Sequence, residues 1–252
     1  MLRSLTIGVV AGCVLSTASF ARAQMKQEFG DVGESIVCAD RLVPLLSWSH
    51  WSQDQAPPAG AISQTQSGDQ TSFSILFGST NDARDFFYTV PRVGYDYVLP
   101  HRITVGGDMV LLFTTGSTTL ETDSAGTSRK TTTNSPGITG FGVAPRGGYI
   151  LPLSDMFSLW LRGGLSFYTF NFSSTVGDTK TTGGQEQWAL DLEPEIVATL
   201  IPHVGFTGAL DIDIPFGGST SASTTAGGVT NTFSAFSSVA YVGATVGMLT
   251  YF

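Results

Sequence analysis

Alternation with a period of two runs through most of the chain and constrains its fold more than any other feature. In residues 157–167, Phe157, Leu159 and Leu161 share one parity, and Arg162 lies on the other. Such alternation indicates a half-buried β-strand, and the charged residues fall on the parity opposite to the aromatic ones. Seven segments show the pattern: 92–99, 103–113, 141–151, 157–167, 188–200, 206–214 and 242–252.

Helices that span a membrane are excluded by the same sequence. Beyond the first 23 residues, no apolar run approaches the roughly 18 residues that a helix needs to cross a bilayer. Only 13% of the residues are charged, whereas Gly, Ser and Thr are abundant. This composition is typical of strands joined by turns, so we expect one all-β domain of about 220 residues.

The N-terminus is predicted to be a secretory signal peptide covering residues 1–23. Arg3 gives it a positive start, residues 5–15 form an apolar core, and residues 21–23 (Ala-Arg-Ala) match a cleavage site. An alternative is a lipoprotein box ending at Cys13, but cleavage there would leave an unusually short signal. We therefore leave residues 1–23 out of the fold prediction.

The charge and the cysteines exclude two classes of protein. Acidic residues number 20 against 12 Lys and Arg, and two of those arginines lie in the signal, so nucleic acid is not an expected partner. Of the two cysteines only Cys38 remains after processing, which rules out an internal disulfide. We interpret Cys38 as a small apolar packing residue.

Outward-facing aromatic residues lie near both ends of the predicted strands. From Phe157 to Phe167, a strand at about 3.3 Å per residue and a tilt near 45° spans roughly 23 Å, the height of the apolar band of an outer-membrane barrel. A soluble sandwich has no reason to keep this spacing, so we predict two membrane-interface girdles. The first contains Phe87, Phe113, Phe141, Phe167, Trp188, Phe216 and Phe236, and the second Tyr97, Tyr149, Phe157, Phe206 and Phe252.

The connections between strands alternate in length. Short turns at residues 99–102, 152–155 and 201–203 are predicted to be periplasmic. Stretches rich in Thr, Ser and Gly at 115–137, 173–186 and 217–234 are predicted to be long extracellular loops. Long loops on one side and tight turns on the other match the outer-membrane pattern.

The number of strands follows from the position of the chain ends. Both ends are expected in the periplasm, which requires an even number and hence one strand before Phe87. Residues 35–51 and 71–78 are the candidates; we favour 35–51, with 71–78 as part of a structured first loop or the top of strand two. The prediction is an antiparallel up-and-down transmembrane β-barrel of eight strands over residues 35–252, preceded by a short periplasmic segment at 24–34.

In its signal, its terminal Phe252, its girdles and its loop pattern, the chain resembles the small eight-stranded outer-membrane β-barrels, the OmpA- and OmpX-like group. The resemblance covers residues 35–252 and implies a fold and a location in the outer membrane of a Gram-negative bacterium. It also implies contact with outer-membrane lipid, and with the barrel-assembly machinery through the C-terminal strand. It leaves function and any extracellular partner open.

The inward parity carries charges of both signs, which bears on transport. An eight-stranded barrel has an interior just wide enough to be filled by side chains, so these charges should pair and plug it. Burying an unpaired carboxylate costs free energy, so the surplus acids should be wet, protonated or bound to a cation. The predicted lumen network contains Arg92, Asp96, Asp108, Arg146, Arg162, Asp191, Glu193, Glu195, Asp211 and Asp213. No ligand-loop spacing supports a metal site among them, and we expect no metal and no cofactor.

Function is predicted only in outline. The favoured hypothesis is a structural or surface-interaction role with a largely plugged lumen, and the first alternative is a narrow pore for small solutes or cations. The second alternative is a lipid-modifying enzyme, because His50 and Ser52 share a strand face at the spacing of the lipid A deacylase pair. Since His101 and His203 fall in predicted turns, we expect no catalytic residues and no enzyme.

Overall fold

The strands of the protein form one antiparallel sheet. The structure is a computed structural model that describes residues 28–55, 64–73, 88, 90–124, 127–176 and 179–252, so the predicted signal peptide lies outside it. In these ranges the strands are β1 (Ser35–Gln55), β2 (Gln64–Phe73), β3 (Arg92–Val98), β4 (Ile103–Ser124), β5 (Thr127–Pro152), β6 (Phe157–Val176), β7 (Thr179–Ile201), β8 (Val204–Ala226) and β9 (Val229–Tyr251). A 3-10 turn at Pro100–Arg102 joins β3 to β4. None of the helical turns described is long and apolar enough to cross a bilayer.

The sheet closes on itself. Each of the strands from β3 to β9 pairs with the next, and β9 pairs with β1 along nearly the whole length of β1. The result is an antiparallel up-and-down β-barrel, as the period-two pattern predicted. Short turns join β3 to β4, β5 to β6 and β7 to β8, and we call their end of the barrel periplasmic.

One position in the barrel wall is shared by two strands. β2 pairs with Leu46–Gln55 of β1, whereas β3 pairs with Ser35–Asp40 on the same edge of β1. The nine described strands therefore occupy eight positions around the ring. The favoured first strand extends four residues beyond the predicted residue 51, and residues 71–73 form the end of β2, while residues 74–78 lie outside the described part.

A bulge in β1 explains why its sequence alternates poorly. The pairing of β1 with β9 shifts between Ala39 and Val43, and Arg41 adopts a φ of 56°. Before the shift the inward-facing residues are even-numbered, as Cys38 and Asp40 show. After it they are odd-numbered, as Ser47 shows. Left-handed backbone is uncommon for a residue other than Gly, and here it turns Arg41 into the interior as well.

The three ranges predicted as extracellular loops are folded as β-hairpins. The β4–β5 ladder continues to the pair Ser124 and Thr127, and the β8–β9 ladder to Ala226 and Val229. The β6–β7 ladder likewise continues to its tip. Thr favours the pleated, extended backbone of a strand. Composition alone suggested loops because it did not weigh this propensity.

The outside of the barrel is apolar. Leu165 and Leu190 face outward near the middle of their strands and are exposed, and Ile196 is exposed nearer the end of β7. Ten of the predicted girdle residues are likewise exposed: Tyr97, Phe113, Phe141, Tyr149, Phe157, Trp188, Phe206, Phe216, Phe236 and Phe252. Phe167 is half-buried because its ring packs 4.4 Å from that of Trp188, and Phe87 lies outside the described residues. Such a surface needs lipid to cover it.

Candidate functional site

The interior of the barrel is the candidate site, because it gathers the predicted charges. All ten residues of the predicted lumen network are buried there. The structure adds two charged residues that the sequence interpretation missed, Asp40 and Arg41, which are 3% and 1% exposed. It also changes the role of Cys38, whose thiol donates a hydrogen bond to Asp40 Oδ2 at 3.2 Å rather than packing only against apolar groups.

Glu193 of β7 lies at the centre of the network. Its Oε1 is 3.0 Å from both Arg41 Nη2 and Arg92 Nη1. Its Oε2 is 3.3 Å from Arg146 Nη1 and 3.1 Å from Arg162 Nη2. Among the described residues, one carboxylate therefore contacts all four arginines of the interior, which come from β1, β3, β5 and β6.

On one side of Glu193, Arg41 and Arg92 share acids from β7 and β8. Arg41 lies 3.2 Å from Asp211 and 3.3 Å from Asp213. Arg92 donates a 2.7 Å hydrogen bond to Asp191. Charge-assisted hydrogen bonds of this kind are stronger than neutral ones, particularly where water is excluded.

On the other side, Arg146 and Arg162 are surrounded by acids from several strands. Arg146 donates to Asp96 at 2.6 Å, to Asp108 at 2.5 Å and to Asp40 at 3.1 Å. Arg162 donates to Glu195 at 2.5 Å and also to Asp40 at 3.1 Å. The same-face spacing along β7 presents Asp191, Glu193 and Glu195 to the interior in one row.

Aromatic rings lie close to the guanidinium groups. Arg162 lies 4.5 Å from the ring centre of Trp160, and Arg92 lies 5.3 Å from that of Tyr168. Arg41 faces the ring of Tyr241 at 5.9 Å. Cation–π attraction strengthens when the cation is desolvated, so these inward aromatic residues stabilise the buried arginines. The sequence interpretation had assigned the aromatic parity to the outside and did not place these rings.

The periplasmic end of the interior is closed by an apolar cluster. Residues 28–34 turn into the barrel mouth, where the Phe29 ring packs 5.7 Å from Trp160 and 5.4 Å from Tyr251. The cluster contains Phe29, Ile36, Cys38, Val98, Ile150, Trp160, Val197, Leu249 and Tyr251. The predicted periplasmic segment at 24–34 thus contributes a buried side chain to the barrel.

A second apolar cluster closes the interior toward the hairpins. Tyr88 stacks on Tyr241 at 4.9 Å and donates a hydrogen bond to the Val239 carbonyl at 3.0 Å, while Gln187 donates to the Tyr88 hydroxyl. The members are Tyr88, Val90, Val110, Tyr168, Phe170, Val239 and Tyr241. In the described part of the chain, the charge network is thus enclosed between two apolar layers.

The histidine candidate lies outside the barrel. His50 Nδ1 is 2.9 Å from Asp69 Oδ1 of β2, and both side chains are exposed. The His50 ring stacks on the outward-facing Trp48 with centroids 6.4 Å apart. His101 and His203 lie in turns, where each has a φ of 64°. The structure therefore separates the histidines from the interior network.

A closed antiparallel barrel with an apolar exterior, interface aromatics and an ionic interior is a transmembrane β-barrel of the outer-membrane type. The chain is similar in structure to OprG from Pseudomonas aeruginosa, with a TM-score of 0.49 and 14% identity over 91% of this chain and 99% of that one. A major outer membrane protein from Thermus thermophilus gives 0.45 and 12% over 82% and 99%. AlkL, solved in lipid bilayers, gives 0.42 and 12% over 92% and 96%.

At these identities the likeness concerns the fold alone. No protein-family model matches the chain, and no curated protein matches it either.

Proposed function

We propose that the protein is a closed outer-membrane scaffold whose role is structural or lies in contacts at the cell surface. The observation that carries this proposal is the buried ion network centred on Glu193, which contacts Arg41, Arg92, Arg146 and Arg162. In the described part of the chain, side chains pair across the narrow interior rather than line an open path, and this makes transport the weaker hypothesis.

The hairpins support a role at the surface. Beyond the girdle pair Phe167 and Trp188, the β6–β7 ladder continues to Val176 and Thr179. Those nine further residues, at about 3.3 Å each and a tilt near 45°, reach about 20 Å past the membrane interface. A paired ladder is stiffer than a loop, and function is commonly carried by segments that a rigid scaffold positions.

Planar-bilayer recordings test the closed interior. The refolded protein is expected to insert without steady conductance, whereas a general porin reconstituted in the same way conducts. Stepwise ohmic openings from the wild-type protein would favour the narrow-pore alternative. For the surface role, cells producing a chain with shortened hairpins should lose any surface attachment that the full chain confers, while the shortened barrel still folds.

Hydrolysis of a lipid ester is a second candidate, and one observation favours it. Asp69 hydrogen-bonds His50 Nδ1, which is how an acid orients a catalytic histidine, and Ser52 shares the outward face of β1. The test compares the wild-type protein with Ser52→Ala and with the control Ser67→Ala, which lies directly opposite Ser52 on β2. Catalysis is supported if the wild type and Ser67→Ala release fatty acid from lipid vesicles and Ser52→Ala does not. If the wild type releases none, this candidate function is excluded.

A further inference from the structure

We propose that Cys38, Asp40 and Asp108 form a binding site for a divalent cation with affinity for sulfur, such as Zn²⁺, inside the barrel. The Cys38 Sγ and one carboxylate oxygen from each aspartate all lie within 4.8 Å of one another. All three residues are buried, and they come from β1 and β4. The sequence interpretation expected no metal, because no ligand-loop spacing supported a site and because it did not place Cys38 and Asp40 in the interior.

Two oxygen atoms at this cluster lack a hydrogen-bond partner. Asp40 Oδ1 and Asp108 Oδ1 are fully buried and accept no hydrogen bond. A buried carboxylate oxygen without a partner costs free energy, and a bound cation removes that cost. The hydrogen bonds of both aspartates to Arg146 use the other oxygen, Oδ2.

A glycine keeps the space beside the donor atoms open. Gly94 of β3 faces the cluster, and a Cβ at this position would overlap both Asp108 Oδ1 and Cys38 Sγ. Any larger residue would push the donor atoms apart. The close approach of sulfur and oxygen therefore depends on the missing side chain.

The charge of the interior also favours a cation. In the described part of the chain, the network holds the four arginines Arg41, Arg92, Arg146 and Arg162. It holds eight acids: Asp40, Asp96, Asp108, Asp191, Glu193, Glu195, Asp211 and Asp213. A divalent cation would offset part of this negative surplus in a region of low dielectric.

Arg146 is the competitor for these donors. Its Nη2 lies 3.1 Å from Cys38 Sγ, and its Nη1 contacts both aspartates. Arg146 also contacts Asp96 through Nε and Nη2, at 3.2 Å and 2.6 Å. A cation can therefore displace Nη1 from Asp40 and Asp108, while Arg146 keeps its pairing with Asp96.

The three donor groups determine which metal the site would prefer. One thiolate and two carboxylates suit Zn²⁺, and a water can complete four-coordination. Binding requires the Cys38 thiol to lose its proton, which passes to solvent during folding, before the barrel closes around the site. The bound metal would join β1 to β4 across β3.

Cadmium is the probe for this site, because a thiolate bound to Cd²⁺ absorbs in the ultraviolet by charge transfer. The chain from residue 24 is refolded in detergent with Cd²⁺ and freed of unbound ion. Bound metal is then measured by mass spectrometry, and the absorption band is recorded. We expect the wild type to retain Cd²⁺ and show the band, Cys38→Ser to lose the band, and Asp108→Asn to bind at least tenfold more weakly.

Asp211→Asn is the matched control, since it removes one acid from the same network but lies outside the cluster. It should keep the band. Heat-dependent gel mobility establishes that each variant is folded before binding is compared. The proposal is overturned if the folded wild type shows no band, if folded Cys38→Ser retains it, or if Asp211→Asn weakens binding as much as Asp108→Asn does.

Discussion

Replacing Glu193 by Gln should destabilise the barrel strongly although the two side chains have nearly the same shape. An amide presents one oxygen and one NH₂ group, whereas Glu193 offers one oxygen to Arg41 and Arg92 and the other to Arg146 and Arg162. In the variant, one pair of guanidinium groups therefore faces another donor. Breaking a buried ion pair by removing one partner costs about 3–5 kcal/mol.

The expected loss lies at the lower end of that range. Arg146 keeps Asp96 and Asp108, Arg162 keeps Glu195, and the variant relieves some repulsion among the surplus acids. We expect the free energy of unfolding to fall by about 3 kcal/mol, which is more than a hundredfold in the unfolding equilibrium.

The assay is reversible urea unfolding in lipid vesicles, followed by tryptophan fluorescence. Glu186→Gln is the matched control, because Glu186 is on the same strand but exposed, and it should change the free energy by less than about 0.5 kcal/mol. If Glu193→Gln is as mild as Glu186→Gln, the interior is not held by the network described above.

Three further substitutions test the packing and the surroundings of the barrel. Gly106→Ala should prevent folding, because the new Cβ would overlap the backbone of Tyr95, and the loss of heat-dependent gel mobility would show this. Gly208→Ala is the control: nothing lies within 4 Å of its new Cβ, so it should fold normally. Phe29→Ala should lower the free energy of unfolding by about 3 kcal/mol because it empties a buried ring position. A loss below about 1 kcal/mol would mean that residues 28–34 are not docked in the barrel mouth. Leu165→Arg should cost about 2–4 kcal/mol in lipid vesicles, and no loss would show that this outward face meets water.

The barrel and most of its interior charges follow from the sequence because a strand has a period of two. Once the aromatic parity of β7 is assigned to lipid, Asp191, Glu193 and Glu195 must point inward. Arg146 and Arg162 point inward for the same reason. Parity is a local property, so no knowledge of the partner strands was needed.

Asp40 and Arg41 were missed because the bulge breaks that parity. The shift between Ala39 and Val43 makes two consecutive residues point inward, and only the pairing of β1 with β9 reveals it. The clue in the sequence was the poor alternation of residues 35–51. It indicated an irregular strand without showing which side chains turned inward.

The inward rings and the hairpins could not be predicted from local sequence patterns, for different reasons. Trp160 and Tyr168 share the parity of Arg162, but which rings lie against guanidinium groups depends on strands far apart in the chain. Thr and Ser are common in loops and in solvated hairpins alike, so composition alone predicts loops where the structure has hairpins. A hairpin depends on the pairing of two strands, which the sequence of one segment alone does not reveal.

The most direct test of a closed interior uses Cys38, the one cysteine beyond residue 23. The refolded protein is treated with a bulky, charged thiol reagent, and labelling is followed by mass spectrometry before and after denaturation. A Ser221→Cys variant, with its added thiol exposed on β8, calibrates the reaction. If the interior is closed, Cys38 stays unlabelled until the barrel unfolds, while the added thiol reacts at once. Rapid labelling of Cys38 in the folded barrel would show that the interior is open.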